Sequence, residues 1–240
     1  MNLRIVFMVS SFLASVSACT LEEPPDDVGQ TEQEVVGFRN YSFPEIGLLT
    51  DSASINTIGE FCTGTAIAPN VILTAGHCMF ANYFWTIEEP LNVHRFTARD
   101  HWRHPFFDIG LIWVQEPVPS TRPMKENGPV GVTVALWGFG GNDCIAGGGG
   151  WPVNNGILTK RVGFFITQAD RFIRSPIVCG GDSGGPVVDV TDGQIFGVAV
   201  AGSGSRPGDT GVFSATNLPT VWNDLVLVSY LWQITSNAGG

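Results

Sequence analysis

From Tyr41 onward the chain sets short apolar runs between turn-forming clusters, and few stretches keep the 3.6-residue period of an amphipathic helix. The runs predict strands over 46–49, 61–67, 71–74, 92–97, 109–115, 133–137, 161–166, 186–190, 195–201 and 211–215. Strands this short, with Gly and Pro between them, point to an all-β sandwich or barrel rather than alternating βα units. One segment differs. Thr220 to Asn237 has apolar residues at mixed spacing, and its second half predicts a terminal helix. Glu116 to Pro123 carries three prolines in eight residues and reads as a crossing between two halves.

The amino end follows different rules. Arg4 and the apolar segment Ile5 to Val16 have the layout of an export signal, too short for a comfortable membrane span. The segment closes on Val16-Ser17-Ala18-Cys19, which resembles a bacterial lipoprotein signal: residues 1–18 are removed and Cys19 receives a lipid. The alternative is an ordinary signal-peptidase site with Cys19 incidental. Small residues and a cysteine directly at the segment's end favour lipidation. Either route exports the chain and makes disulfides permissible. Thr20 to Glu34 is polar, acidic and proline-bearing, with nothing to bury, so residues 19–34 read as a tether or propeptide.

Charge sharpens that boundary. The net charge is −10, but Glu22, Glu23, Asp26, Asp27, Glu32 and Glu34 lie in the leader with no base among them. From Val35 onward 16 acids face 11 bases. The balance argues against nucleic acid as a partner. Over the whole chain, 44% hydrophobic and 14% charged residues with 30 Gly and 15 Pro suffice to bury a sizeable core of turn-linked strands. The seven Trp and 16 Phe are expected in that core.

Candidate chemistry concentrates in three places. Cys179-Gly180-Gly181-Asp182-Ser183-Gly184-Gly185-Pro186 sets a serine among glycines that let the backbone bring N–H groups close to a reacting oxygen. A serine hydroxyl is a weak nucleophile and needs a base. Thr74-Ala75-Gly76-His77-Cys78 places a histidine just after an apolar strand. His104-Pro105-Phe106-Phe107-Asp108 puts one acid at the head of another, where an ionised carboxylate needs a partner such as an imidazole N–H. His94, His101 and His104 lack the cysteines or carboxylates of a metal site and read as surface residues, and no calcium loop or other cofactor motif is present.

In this order the motifs Val35-Val36-Gly37, Thr74-Ala75-Gly76-His77-Cys78, Asp108-Ile109-Gly110-Leu111 and Gly181-Asp182-Ser183-Gly184-Gly185-Pro186 resemble the trypsin/chymotrypsin family of serine proteases. The resemblance covers residue 35 to the C-terminus. It implies two antiparallel Greek-key β-barrels packed across a catalytic cleft, residues 35–119 and 120–240, with the helix closing the second. It also implies His77 as general base, Asp108 as the acid that orients it, Ser183 as nucleophile, and the N–H groups of Gly181 and Ser183 as oxyanion hole. Val35, freed by a cut after Glu34, would pair its new amine with Asp182 and shape that hole.

The resemblance pairs Cys62 with Cys78; Cys144 then goes to Cys179, a departure from the commonest family pattern. Ile177 stands at the floor of the specificity pocket, and Gly202 and Gly211 at its walls, which implies large apolar side chains before the scissile bond. Val200 and Ala201 replace the family's usual Ser and Trp, removing support for Asp108 and flattening the cleft. The backbone of Val200 to Gly202 remains able to pair with an extended peptide. Expected partners are a protein or peptide substrate, an activating protease, and a membrane through the lipid until activation releases a monomeric protease outside the cytoplasm. The rival expectation is a catalytically weak relative that binds peptides or a partner protein.

Overall fold

The computed structural model describes residues 43–55, 60–89, 92–126, 131–140, 153–154, 157–158, 161–166, 172–174, 180–202, 210–215 and 219–238. Ile46–Thr50 (β1), Phe61–Ala68 (β2) and Val71–Thr74 (β3) form an antiparallel meander, with β1 and β3 buried along their whole length. After a short 3-10 turn at Gly76–Cys78 come Tyr83–Glu89 (β4), Asn92–Arg103 (β5) and Gly110–Val114 (β6). β6 pairs with β3 and β4 with β1, so the six strands close into a barrel in the order β1-β2-β3-β6-β5-β4. Closure leaves no free edge, and each strand presents apolar residues to the interior.

The second half contains Thr133–Gly138 (β7), the small ladder Val153–Asn154 (β8) with Ile157–Leu158 (β9), Arg161–Ile166 (β10), Phe172–Arg174 (β11), Pro186–Asp189 (β12), Ile195–Gly202 (β13) and Thr210–Ala215 (β14). Six of these form one antiparallel sheet in the order β10-β7-β12-β13-β14-β11. Its edge strands β10 and β11 approach each other, so the sheet curls toward a second barrel. The chain ends in one helix, Pro219–Ala238 (α1). Among the described residues no helix is long and apolar enough to cross a membrane.

Several elements differ from expectation. β4, β8, β9 and β11 have no counterpart among the predicted strands, β5 continues to Arg103, and α1 occupies the whole of the terminal segment rather than its second half. The helix buries Val221 and Leu225 together with Ile109 and Leu111 of the first barrel and Val188, Ile195 and Val198 of the second sheet. Trp232 stacks on Trp113 of β6 with ring centroids 5.6 Å apart. One core therefore runs through both halves, and the helix packs on the strand that follows Asp108.

Charged latches hold the crossing segment. Arg122 donates to Glu45 from Nε at 2.9 Å and lies 2.7 Å from it through Nη2, both groups being nearly buried, while its Nη1 donates to the carbonyl of Gly193. Lys125 reaches Asp189 and Asp192, and Asp189 also accepts from the N–H and hydroxyl of Thr191. Burial opposes charge on Asp189, but the bonds from Lys125 and Thr191 outweigh it and hold the carboxyl below its usual range. Burial likewise opposes the ammonium of Lys125, and Asp189 and Asp192 outweigh it and hold that group above its usual range.

A depressed carboxyl contributes stability in full above its unfolded pKa and loses it as pH falls through the folded value. A raised ammonium contributes below its unfolded pKa and loses it as pH rises through the folded value. Lys125→Met should therefore cost about 3 kcal/mol at neutral pH, since Asp189 would stay buried with only Thr191 as donor. In urea unfolding the gap between parent and variant should be constant between the usual carboxylate and ammonium ranges and narrow on either side. A gap indifferent to acid would remove the electrostatic account.

Candidate active site

β3 ends at Thr74, and the chain turns at once through Ala75 into the 3-10 turn that carries His77. No side chain caps that turn at Ala75; instead Asp108 Oδ1 accepts the backbone N–H of His77 at 2.8 Å. The other carboxylate oxygen, Oδ2, lies 2.7 Å from His77 Nδ1. Asp108 thus holds both the backbone and the ring of one residue, which leaves the ring little freedom to turn. A side chain at Gly76 would meet Asp108 Oδ1 and Arg103 Nε at 2.9 Å, so this approach needs a residue without Cβ. The imidazole is half exposed, at 42%, and Asp108 at 32%. Arg103 adds a positive charge 3.9 Å from Asp108 Oδ1, largely in solvent.

The loop that delivers Asp108 is built around His104. Its Nδ1 accepts the N–H groups of Phe106 and Phe107, both at 3.1 Å, and its own N–H donates to the carbonyl of Ile109. Two N–H donors on Nδ1 put the ring proton on Nε2, which lies 3.3 Å from Asp224 Oδ2 of α1 without forming a hydrogen bond. The expectation of a surface histidine is corrected here: His104 is 2% exposed, because it supplies the acceptor that two loop amides need. Phe106, in the same loop, is exposed.

Ser183 lies in the loop between Gly180 and β12, half-buried, with its carbonyl accepting the N–H of Thr63 at 2.8 Å. Cys78, next to His77, is bonded to Cys62 with S–S 2.01 Å, as expected, and its Sγ lies 3.8 Å from that same carbonyl. The disulfide therefore ties the histidine turn to β2 and leaves its sulfur in contact with the serine loop. Gly181 has φ +99°, and a Cβ there would run into the Phe61 ring. Both constraints select glycine. Among the described residues, no acceptor takes up the N–H of Gly181 or of Ser183, and no hydrogen bond joins His77 Nε2 to the Ser183 hydroxyl. Contacts of that kind commonly close only around bound substrate.

Asp182 is 1% exposed, and its Oδ1 accepts the N–H of Gly140 at 2.7 Å. Gly202 and Gly211 are register partners between β13 and β14, so the two glycines expected at the pocket walls face each other across one ladder. Val200 occupies the register break between Ala199 and Ala201 and packs, half-buried, against both large core clusters. Cys19, Val35, Cys144, Ile177 and Cys179 lie outside the described residues. Among the described residues the only His, Cys and carboxylate group with ligand spacing is Cys62, His77 and Cys78, within 4.8 Å of one another. The disulfide has consumed both of its thiolates.

Residues 38–222 match the family model Trypsin, well over half of the chain. The chain belongs to the trypsin family. Trypsin from Saccharopolyspora erythraea is 25% identical over 193 residues, covering 65% of this chain and 82% of the relative. Lectizyme from Glossina austeni is 23% identical over 206 residues, covering 68% and 73%. Among solved structures, neuropsin, a serine protease expressed in the limbic system of mouse brain, matches with TM-score 0.60 at 18% identity, over 80% of this chain and 99% of its own. A Glu endopeptidase in complex with MPD matches with TM-score 0.60 at 18% identity, over 79% and 92%. These two similarities speak to the fold. The trypsin-family assignment makes this protein a serine-type endopeptidase acting on protein or peptide substrates.

Sequence reasoning missed two members of the site. Thr63, at the start of β2, has its hydroxyl 2.7 Å from the carbonyl of Gly181. His104 stood in plain view as part of the Asp108 motif, but nothing in its spacing distinguished a buried ring from a solvated one.

Proposed function

We propose that His77, Asp108 and Ser183 act as the catalytic triad of this endopeptidase. The observation that carries the reading is the doubly held His77, with Asp108 on its backbone and on Nδ1. A carboxylate on Nδ1 keeps the proton there and leaves Nε2 as a lone-pair base. Ser183 Oγ would then attack the scissile carbonyl carbon as its proton passes to Nε2. The N–H groups of Gly181 and Ser183 take up the charge on the tetrahedral oxygen. Collapse breaks the C–N bond, the amine leaves with the proton from Nε2, and water repeats the sequence to release the acyl group.

Activation is proposed to follow cleavage between Glu34 and Val35. The buried carboxylate of Asp182, held on one side by Gly140, is where the new Val35 amine would be received. A buried acid gains most from such an ammonium, and the hole beside it should be malformed until the cut is made. The activator would cut after an acid. Cys19 is the leader's only cysteine, so no disulfide would keep the lipidated leader attached, and activation would release the protease from the cell envelope. The facing Gly202 and Gly211 leave a pocket entrance without side chains, in keeping with large apolar residues before the cleaved bond.

The competing reading, a peptide-binding relative of low activity, draws on Val200, which offers no hydroxyl to Asp108 and fills a core position instead. A serine-directed fluorophosphonate separates the two. The protein cleaved after Glu34 should label stoichiometrically at Ser183, and the Glu34→Ala chain, which blocks the cut, should label at least about a hundredfold more slowly, the effect of a missing oxyanion donor. No labelling in the cleaved form would leave the binding module; equal labelling in both would end the activation scheme. Activated enzyme still membrane-bound after a salt wash would remove the release step.

A further inference from the structure

Thr63 bonds to the carbonyls of both Gly181 and Ser183, on the loop that carries the nucleophile of the triad reading. It is fully buried, on the first barrel, and faces a loop that belongs to the second half of the chain. Its N–H donates to the carbonyl of Ser183 at 2.8 Å. Its hydroxyl donates to the carbonyl of Gly181 at 2.7 Å and accepts the N–H of Phe139 at 3.1 Å. Its carbonyl accepts the hydroxyl of Thr74, the last residue of β3, at 2.8 Å. The N–H, carbonyl and hydroxyl of the residue are all used, and its bonds reach the serine loop, the end of β3 and the segment after β7.

We propose that Thr63 is the positioning residue of the oxyanion hole, a role that rests on the triad reading above. The two N–H groups of the hole belong to residues whose carbonyls Thr63 holds. Those carbonyls belong to the 181–182 and 183–184 peptides, which flank the 182–183 peptide carrying the Ser183 N–H, while the Gly181 N–H lies one residue's dihedrals before the first held plane. Holding both carbonyls therefore limits how far either donor can turn. Oxyanion stabilisation depends on donors aimed at the place where charge develops, so a rotation of tens of degrees loses most of it. The same hydroxyl steadies Phe139, whose neighbour Gly140 holds the Asp182 carboxylate. Thr63 thus joins the hole to the acid beside it, and does so through a side chain.

The test compares Thr63→Val, which keeps the shape and removes the hydroxyl, with Thr63→Ser, which keeps the hydroxyl and removes a methyl. Both are measured as activated protein on a peptide amide, with active-site titration to count competent molecules. A peptide aldehyde serves as inhibitor, since its hemiacetal oxygen would sit in the hole. Thr63→Val should lower kcat by about ten- to a hundredfold, less than removing a donor outright, with KM within about twofold. Aldehyde affinity should fall by the same factor as kcat, and Thr63→Ser should stay near the parent in both. Unchanged kcat and aldehyde affinity in the valine variant would overturn the proposal, as would a serine variant that falls as far. A loss explained wholly by fewer titratable sites would do the same. If the valine variant does not fold, Thr63→Ala should show the same paired loss, because a water beside the alanine meets the orphaned groups without fixing an angle; alanine at parental activity overturns the proposal. Failure of Ser183→Ala to abolish activity would instead strike the triad reading itself.

Discussion

Replacing Ser183 by alanine should lower kcat on a peptide substrate by about a millionfold, the scale on which enzymes of this mechanism lose activity with their nucleophile. The substitution removes one oxygen from a half-buried position whose backbone stays anchored to Thr63, so thermal stability and KM should barely move. That combination is the informative one. A loss of kcat with an intact melting temperature assigns the hydroxyl to the chemistry. Residual activity near the parent's would require a different nucleophile, and the triad would have to be given up.

Asp108→Asn should cost kcat about four orders of magnitude, the loss this triad shows when its imidazole is held in the wrong tautomer. The geometry gives a local reason. Oδ1 accepts the backbone N–H of His77, so the amide oxygen of asparagine will keep that place. The NH2 group then lies where Oδ2 faces Nδ1 and donates to it. Nδ1 becomes an acceptor, the ring proton moves to Nε2, and the base facing Ser183 disappears. KM should change little, and nitrogen NMR of the ring should report the exchanged tautomer. An asparagine variant with normal kcat would show that Arg103 or solvent, rather than Asp108, sets the ring's state.

The strands of the first barrel were legible wherever turn residues punctuated the apolar runs. β4 escaped because Met79-Phe80-Ala81-Asn82 leads into Tyr83-Phe84-Trp85 with only one turn former between them. The helix was half concealed for another reason. Val221, Leu225, Val228 and Trp232 make an inward stripe, yet Val226, Leu227, Tyr230 and Leu231 are apolar and exposed, so the outward face blurs the period. Motifs announced the types of His77, Asp108 and Ser183 because each lies in a stretch with few other uses. Thr63 could not be found that way. A threonine in a strand looks like any other, and its role comes from a bond across 118 residues.

The bridge between Cys62 and Cys78 is sealed inside the first barrel, with Cys78 fully buried and Cys62 3% exposed. Thiol exchange needs an attacking thiolate to reach one of these sulfurs, and the folded molecule offers no approach. The bond must accordingly close while the chain is still folding, and afterwards it is insensitive to the redox conditions around it. A molecule that matures with both sulfurs reduced would have the turn that carries His77 no longer tied to β2, the strand whose Thr63 holds the serine loop. The state of this one bond is thus settled during folding and then kept by the packing around it.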